Sequence, residues 1–226
     1  MSVCGVDLGS FKTPSYVAWL EGNEFYFDLY LASKEKPLPS LPFGISKPTH
    51  IAFDGPQSLP SIGNKRRECD KGAKTPTSVF PLTRKELSDW KMYKQLIECG
   101  VEVFWNAYEK NLAAIAGLNN DENSELIILE TYPRFIIRRV WPRESIPSKS
   151  KAPVEYVRKF TVIIKQKGYQ FDEKKVISPD YVDAMLCTIA AEDFMKVSGN
   201  SAGKVGSPPF VDEEEKILRE GYIYSP

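Results

Sequence analysis

Three apolar runs in this chain each end on an acid. Gly5-Val6-Asp7-Leu8-Gly9 closes the first, His50-Ile51-Ala52-Phe53-Asp54-Gly55-Pro56 the second, and Glu125-Leu126-Ile127-Ile128-Leu129-Glu130 the third. Such runs read as buried strands, and a carboxylate at their end is unfavourable to bury unless it is paired, hydrogen-bonded or bound to a metal. A further pair lies in Pro179-Asp180-Tyr181-Val182-Asp183, where Asp180 and Asp183 are spaced i, i+3 and share one helix face. Carboxylates gathered at one locus repel one another unless cations intervene. Oxygen ligands without His or Cys select Mg²⁺ or Mn²⁺, and two such ions about 3.5–4 Å apart clamp the attacking and leaving oxygens of a phosphodiester hydrolysis. Each acid also has a plainer reading. Asp7 caps a strand, Asp180 complements a helix dipole, and Tyr132-Pro133 behind Glu130 makes an ordinary turn.

The rest of the composition narrows the chemistry. A single histidine, His50, excludes a mechanism resting on several. There is no GxxxxGK[ST] phosphate loop. Cys4, Cys69, Cys99 and Cys187 are scattered without a CxxC pair, so they read as free thiols of a reducing, cytoplasmic compartment. A chain of 226 residues is expected to form one domain over 1–226 with a packed core. No apolar run approaches the ~20 residues of a membrane span, and the first strand leaves no room for a signal peptide. Thirty Lys/Arg balance thirty Asp/Glu, yet residues 134–175 hold twelve cations against four acids. Asn64-Lys65-Arg66-Arg67 adds a shorter basic patch, while residues 121–130 and Asp212-Glu213-Glu214-Glu215 lean acidic. A segregated basic half either follows a phosphate backbone or merely solvates Lys-rich helices.

The elements that must position these acids follow from periodicity. Val3 to Asp7, Pro14 to Leu20 and Glu24 to Leu31 are joined by short links, which predicts a three-stranded antiparallel meander. A Pro-rich stretch from Lys36 to Pro42 follows, then the strands Thr49 to Asp54 and Glu125 to Glu130. If these two run parallel to the first, Asp7, Asp54 and Glu130 meet at the carboxyl edge of the sheet, where open α/β sheets bind ligands. Between them lie a long polar loop from Gly55 to Thr83 and helices over Arg84 to Cys99 and Phe104 to Gly117, an insertion of about 55–118. Helices are also predicted over Tyr132 to Trp141, Pro153 to Gly168 and Pro179 to Lys196, the last with Ser178 as N-cap and Pro179 at its first position. The tail from about 198, Gly/Ser/Pro-rich over Gly199 to Pro209, reads as flexible, with Gly221 to Tyr224 as an added edge strand. The fold class is therefore α/β: a mixed five-stranded sheet, three antiparallel strands then two parallel, flanked by helices.

The order GVDLGS, IAFDGPQSLP, ILETYPRF and PDYVDAMLCTIAA resembles RNase H-like nucleases. More closely, it is similar to the domain-of-unknown-function family four-two-nine, described as predicted RNase H-like nucleases. Arg67-Glu68-Cys69-Asp70 resembles an Arg-x-Cys-Asp segment of that family, and Glu220-Gly221-Tyr222-Ile223 its closing segment. The resemblance implies that Asp7, Asp54, Glu130 and Asp183 are catalytic. Metal would fall to Asp7, Asp54 and Asp183, with Glu130 or Asp180 completing the set. The Asp180-x-x-Asp183 spacing is similar to the paired helix acids of Holliday-junction resolvases. Arg67, Asp70 and Arg158 are candidate substrate contacts, against a plain surface role for the arginines.

The expectation is a nuclease dependent on Mg²⁺ or Mn²⁺, with two ions, whose partner is DNA or RNA and not a membrane. The balanced net charge argues against strong nonspecific binding and favours a short or structured substrate. Two other readings compete: a non-catalytic module of the same fold that holds nucleic acid or a protein, and an actin-like or sugar-kinase ATPase, which normally needs two such domains. The sequence leaves the oligomeric state open, a dimer included.

Overall fold

Continuous or alternating β-branched and aromatic residues form the strands. In the computed structural model, which describes residues 2–40, 46–118, 124–197 and 203–226, these are β1 (Ser2–Asp7), β2 (Ser15–Glu21), β3 (Glu24–Tyr30), β4 (Pro48–Asp54), β5 (Ala114–Ile115), β6 (Ile127–Thr131), β7 (Val205–Asp212) and β8 (Ile217–Tyr224). The meander is present: β1 pairs antiparallel with β2, and β2 with β3. β4 lies parallel to β1, and β6 parallel to β4. The sheet has eight strands rather than five, in the order β3-β2-β1-β4-β6-β8-β7, with β5 also paired to β6.

The three additional strands have physical explanations. β5 is two residues long, too short to show a period. β7 carries Gly206, Pro208 and Pro209, which read as a flexible tail; prolines are tolerated because β7 is the sheet edge and its register shifts between Ser207 and Phe210. β8 begins at Ile217 and is no edge strand, because β7 covers it. The acidic run from Asp212 is the turn of this hairpin, where Asp212 accepts from Arg219 Nε at 2.7 Å. Leu41 and Pro42 of the Pro-rich stretch, the acids Asp121 and Glu122, and the start of the tail (198–202) lie outside the described residues.

Helices α1 (Glu68–Ala73), α2 (Arg84–Asp89), α3 (Lys94–Glu109), α4 (Pro133–Val140), α5 (Pro153–Gln166) and α6 (Pro179–Lys196) complete the described fold. α1 interrupts the expected loop. The break expected after Cys99 lies instead at Trp90 to Tyr93, and α3 runs through Gly100. Glycine is needed there by packing, since a Cβ would stand 2.4 Å from Pro56 O. α6 has its expected bounds, although Ser178 makes no side-chain capping bond. Alternation along the strands divides the core: Val3, Ala52 and Leu129 pack against α4, α5 and α6, whereas Cys4, Val6, Ile51 and Phe53 pack against α3. The four cysteines are free and buried. No helix among the described residues is long and apolar enough to cross a membrane.

α6 is apolar nearly all round and lies directly on β1. A Cβ at Gly5 would stand 2.2 Å from both Ala184 O and Thr188 N, so only glycine allows this approach. Thr188 Oγ1 lies 2.9 Å from Ala18 O and ties the helix to β2. Gly5→Ala should lower the free energy of unfolding by about 2 kcal/mol or more, the upper range for overpacking, measured by urea titration. An unchanged midpoint would show that α6 does not need this contact.

Candidate metal centre

β1 and β4 are paired so that Asp7 is opposite Asp54, which sets two carboxylates side by side at the carboxyl edge of the sheet. The close seat of α6 adds Asp183 from above. One carboxylate oxygen from each of Asp7, Asp54 and Asp183 lies within 4.8 Å of the others. Asp180, one turn earlier on α6, stands at the rim with its side chain 34% exposed.

A lysine that the sequence reading missed enters this group. Lys149, in the loop between α4 and α5, places Nζ 2.9 Å from Asp7 Oδ2, 2.9 Å from Asp180 Oδ1 and 2.5 Å from Asp183 Oδ2. Tyr156 of α5 donates its hydroxyl to Asp183 Oδ1 at 2.5 Å, fixing that oxygen and leaving Oδ2 toward the cluster. Neither residue carries a local signal. Lys149 is one lysine in Ser148-Lys149-Ser150-Lys151, and Tyr156 reads as core beside Phe160.

Charge in this group is unbalanced. Burial pushes the Asp54 carboxyl up to about 8; Asp183 adds to the rise and Lys149 opposes it. Burial likewise raises Asp7 well above the usual carboxylate range, against Lys149, and Asp183 is raised for the same reason. Burial works against the Lys149 ammonium, but Asp183 and Asp7 outweigh it and hold the proton more firmly than usual. Among the described residues, no ion pair or hydrogen bond reaches the Asp54 carboxylate. Asp7, Asp54 and Asp183 could hold a hard divalent cation in place of the Lys149 ammonium.

Glu130 does not join this group. The β4–β6 register pairs Phe53 with Glu130 and Asp54 with Thr131. A shift of one residue turns a side chain to the other face of a sheet, so Glu130 leaves on the Phe53 side. There it accepts from Arg67 Nη1 and Nη2, both at 2.7 Å, and from Gln57 N at 2.9 Å. Arg67 also donates to Asp70 through Nε at 2.7 Å, and Thr75 Oγ1 donates to Asp70 at 2.8 Å. Arg67 is 1% exposed. Burial works against its charge, but Asp70 leads the groups that keep it protonated; burial raises Glu130, with Arg67 opposing. Cys69, Asp70 and Glu130 also approach one another within 4.8 Å, but Arg67 already bridges Asp70 and Glu130 there. Arg67 and Asp70, expected over the substrate, are instead buried partners at the wall of a pocket shared with Asp54.

Arg158 is elsewhere. It lies two residues beyond Tyr156, about 200° around α5, and is exposed in a surface depression with Val154 and Glu173. The closing segment has a clamping role: Glu220 accepts from Ser61 N at 2.9 Å and Glu68 N at 3.2 Å, which ties β8 to α1. Comparison of the chain with family models, curated proteins and solved structures returns no match.

Between its ordinary value of 3.8 and about 8, folded Asp54 binds more proton than the unfolded chain does. Stability should therefore fall as pH rises through that window. In EDTA, thermal melts should show Tm dropping from about pH 4 to about pH 8, and Asp54→Asn should reduce that slope. At the upper end the variant should melt higher than wild type by at least about 2–4 °C, the equivalent of about 1 kcal/mol at this size. Parallel Tm curves would mean that Asp54 is already charged and satisfied.

Proposed function

We propose that this chain is a divalent-metal-dependent phosphodiesterase acting on nucleic acid, with an RNase H-like arrangement of its acids. One observation carries the reading: Asp7, Asp54 and Asp183, from two parallel strand ends and a helix, bring carboxylate oxygens within 4.8 Å. The resemblance of the motif order to that of RNase H-like nucleases supports it. Asp7, Asp54 and Asp183 would hold Mg²⁺ or Mn²⁺, with Asp180 at the rim. A cation bound there supplies charge stabilisation for phosphoryl oxygens and a nucleophile at neutral pH.

The chain's own residues prepare that site. Tyr156 orients Asp183, and the Gly5 contact sets its height above Asp7. Lys149 balances Asp7 and Asp183 when no cation is present, and its 35% exposed side chain sits on the loop between α4 and α5. Strand register turns Glu130 to the other face, where Arg67 pairs with it, so the group stays small. Lys149 also favours a second reading. An ammonium 2.5–2.9 Å from three carboxylates is itself a counter-ion, and a chain that retains it holds its partner without cutting.

Calorimetric titration of Mn²⁺ should show binding to wild type. Asp7→Asn should weaken it by at least about tenfold, the lower range even for outer-shell losses. Labelled DNA or RNA should be cut by wild type with Mn²⁺ and not by the variant. No metal uptake at millimolar concentration would overturn the phosphodiesterase and leave the binding module. Lys149→Met, which removes the competing ammonium, should tighten Mn²⁺ binding; unchanged affinity would mean that the lysine does not compete with the cation.

A further inference from the structure

The sequence predicts one helix over Arg84 to Cys99, and the chain instead breaks at Trp90 to Tyr93. The break places Tyr93 in the left-handed region at φ 53°, a conformation unusual for a bulky residue. Its side chain is 49% exposed. Two depressions meet there, sharing Tyr93 and Leu96 as common wall. The first, about 140 Å³, runs from Tyr93 past Phe80 and Thr77 to Tyr132 and Asp54. The second, about 550 Å³ and more open, runs from Tyr93 past Trp90, Lys91 and Lys94 to Gly9 and Ser10, just beyond Asp7. They adjoin at Tyr93 as a groove near the carboxyl ends of β1 and β4, with that exposed ring between its two halves.

Charge gives the groove a direction. The smaller pocket has Asp54, Asp70 and Glu130 in its wall with one Arg67 between them, which repels a phosphate and accepts a neutral ring. Its volume is well below the ~300 Å³ of an ordinary ligand pocket, so it suits a single flat group. The larger depression carries Lys91 and Lys94, and Lys91 pairs with no carboxylate among the described residues. Alternating aromatic faces and cations are what single-stranded nucleic acid requires, because bases stack on rings while phosphates meet ammonium groups. A duplex keeps its bases stacked inside and cannot use the rings.

We propose that this groove holds a single-stranded segment of nucleic acid, with Tyr93 stacking on a base beside Asp54 and Lys91 and Lys94 facing its phosphates. The inference rests on the phosphodiesterase reading and names the form of that enzyme's substrate.

The test is fluorescence anisotropy of a labelled single-stranded oligonucleotide and its duplex with the full chain in EDTA, where nothing is cut. The single strand should bind at least about tenfold tighter. Tyr93→Phe should bind within about twofold of wild type, and Tyr93→Asn should lose about tenfold, within the range for one stacked base. Asparagine tolerates the left-handed backbone, so that loss would not be a loss of fold, and a melt of the variant checks it. Replacing Lys91 and Lys94 by Ala should reduce the slope of log K against log salt by about 1.4, two single-strand phosphate contacts. Equal affinity for strand and duplex, or an unchanged Tyr93→Asn, would overturn the groove. Manganese uptake with no Tyr93 dependence would sink the groove and spare the metal centre; Tyr93-dependent strand binding without metal uptake would do the reverse.

Discussion

The seat of α6 on β1 is the constraint from which the rest follows. At Gly5 the helix backbone comes so near the strand that no Cβ fits between them. Asp183 sits one residue before Ala184, whose carbonyl makes that contact, so the helix delivers its carboxylate at the height of the strand ends. A larger residue at this point would lift α6 and separate Asp183 from Asp7 and Asp54. Ala184, Ala190 and Ala191 are buried small residues of the same helix.

The second organising force is charge, resolved differently in two neighbouring nests. Glu130 and Asp70 share a guanidinium that is 1% exposed and held by two-pronged hydrogen bonds. A planar fork matched to carboxylates gives up little freedom on binding and does not exchange readily. Asp7 and Asp183 share a lysine on a loop, a point charge on a flexible stem. Among the described residues, Asp54 has no such partner. One nest is thus closed by its own chain, and the other is closed only in part. This contrast, more than the number of acids, separates a structural cluster from a candidate cation site.

Register decides which acid belongs to which nest. Asp7 and Asp54 are directly opposite in the β1–β4 pair, while Glu130 stands one position off. Because side chains alternate along a strand, that single step carries Glu130 through the sheet to Arg67. A break at Trp90 to Tyr93, in place of one long helix, exposes the Tyr93 ring between two depressions.

The sequence by itself determined the elements that rest on local chemistry. The meander, the strands ending at Asp7 and Asp54 and the bounds of α6 were legible because apolar period, Pro179 and short links are properties of adjacent residues. The pairing of Asp7, Asp54 and Asp183 was legible too, since parallel strands and a helix face imply it. Tertiary structure alone decided what depended on distant partners. The prolines of β7 read as a tail because nothing local shows that they occupy a sheet edge. Glu130 read as a fourth member because strand register is set by pairing across the sheet, and Lys149 was invisible because its acids lie 142 and 34 residues away in the chain. Periodicity reports which side chains share a face, whereas the company a charge keeps is fixed only when the faces meet.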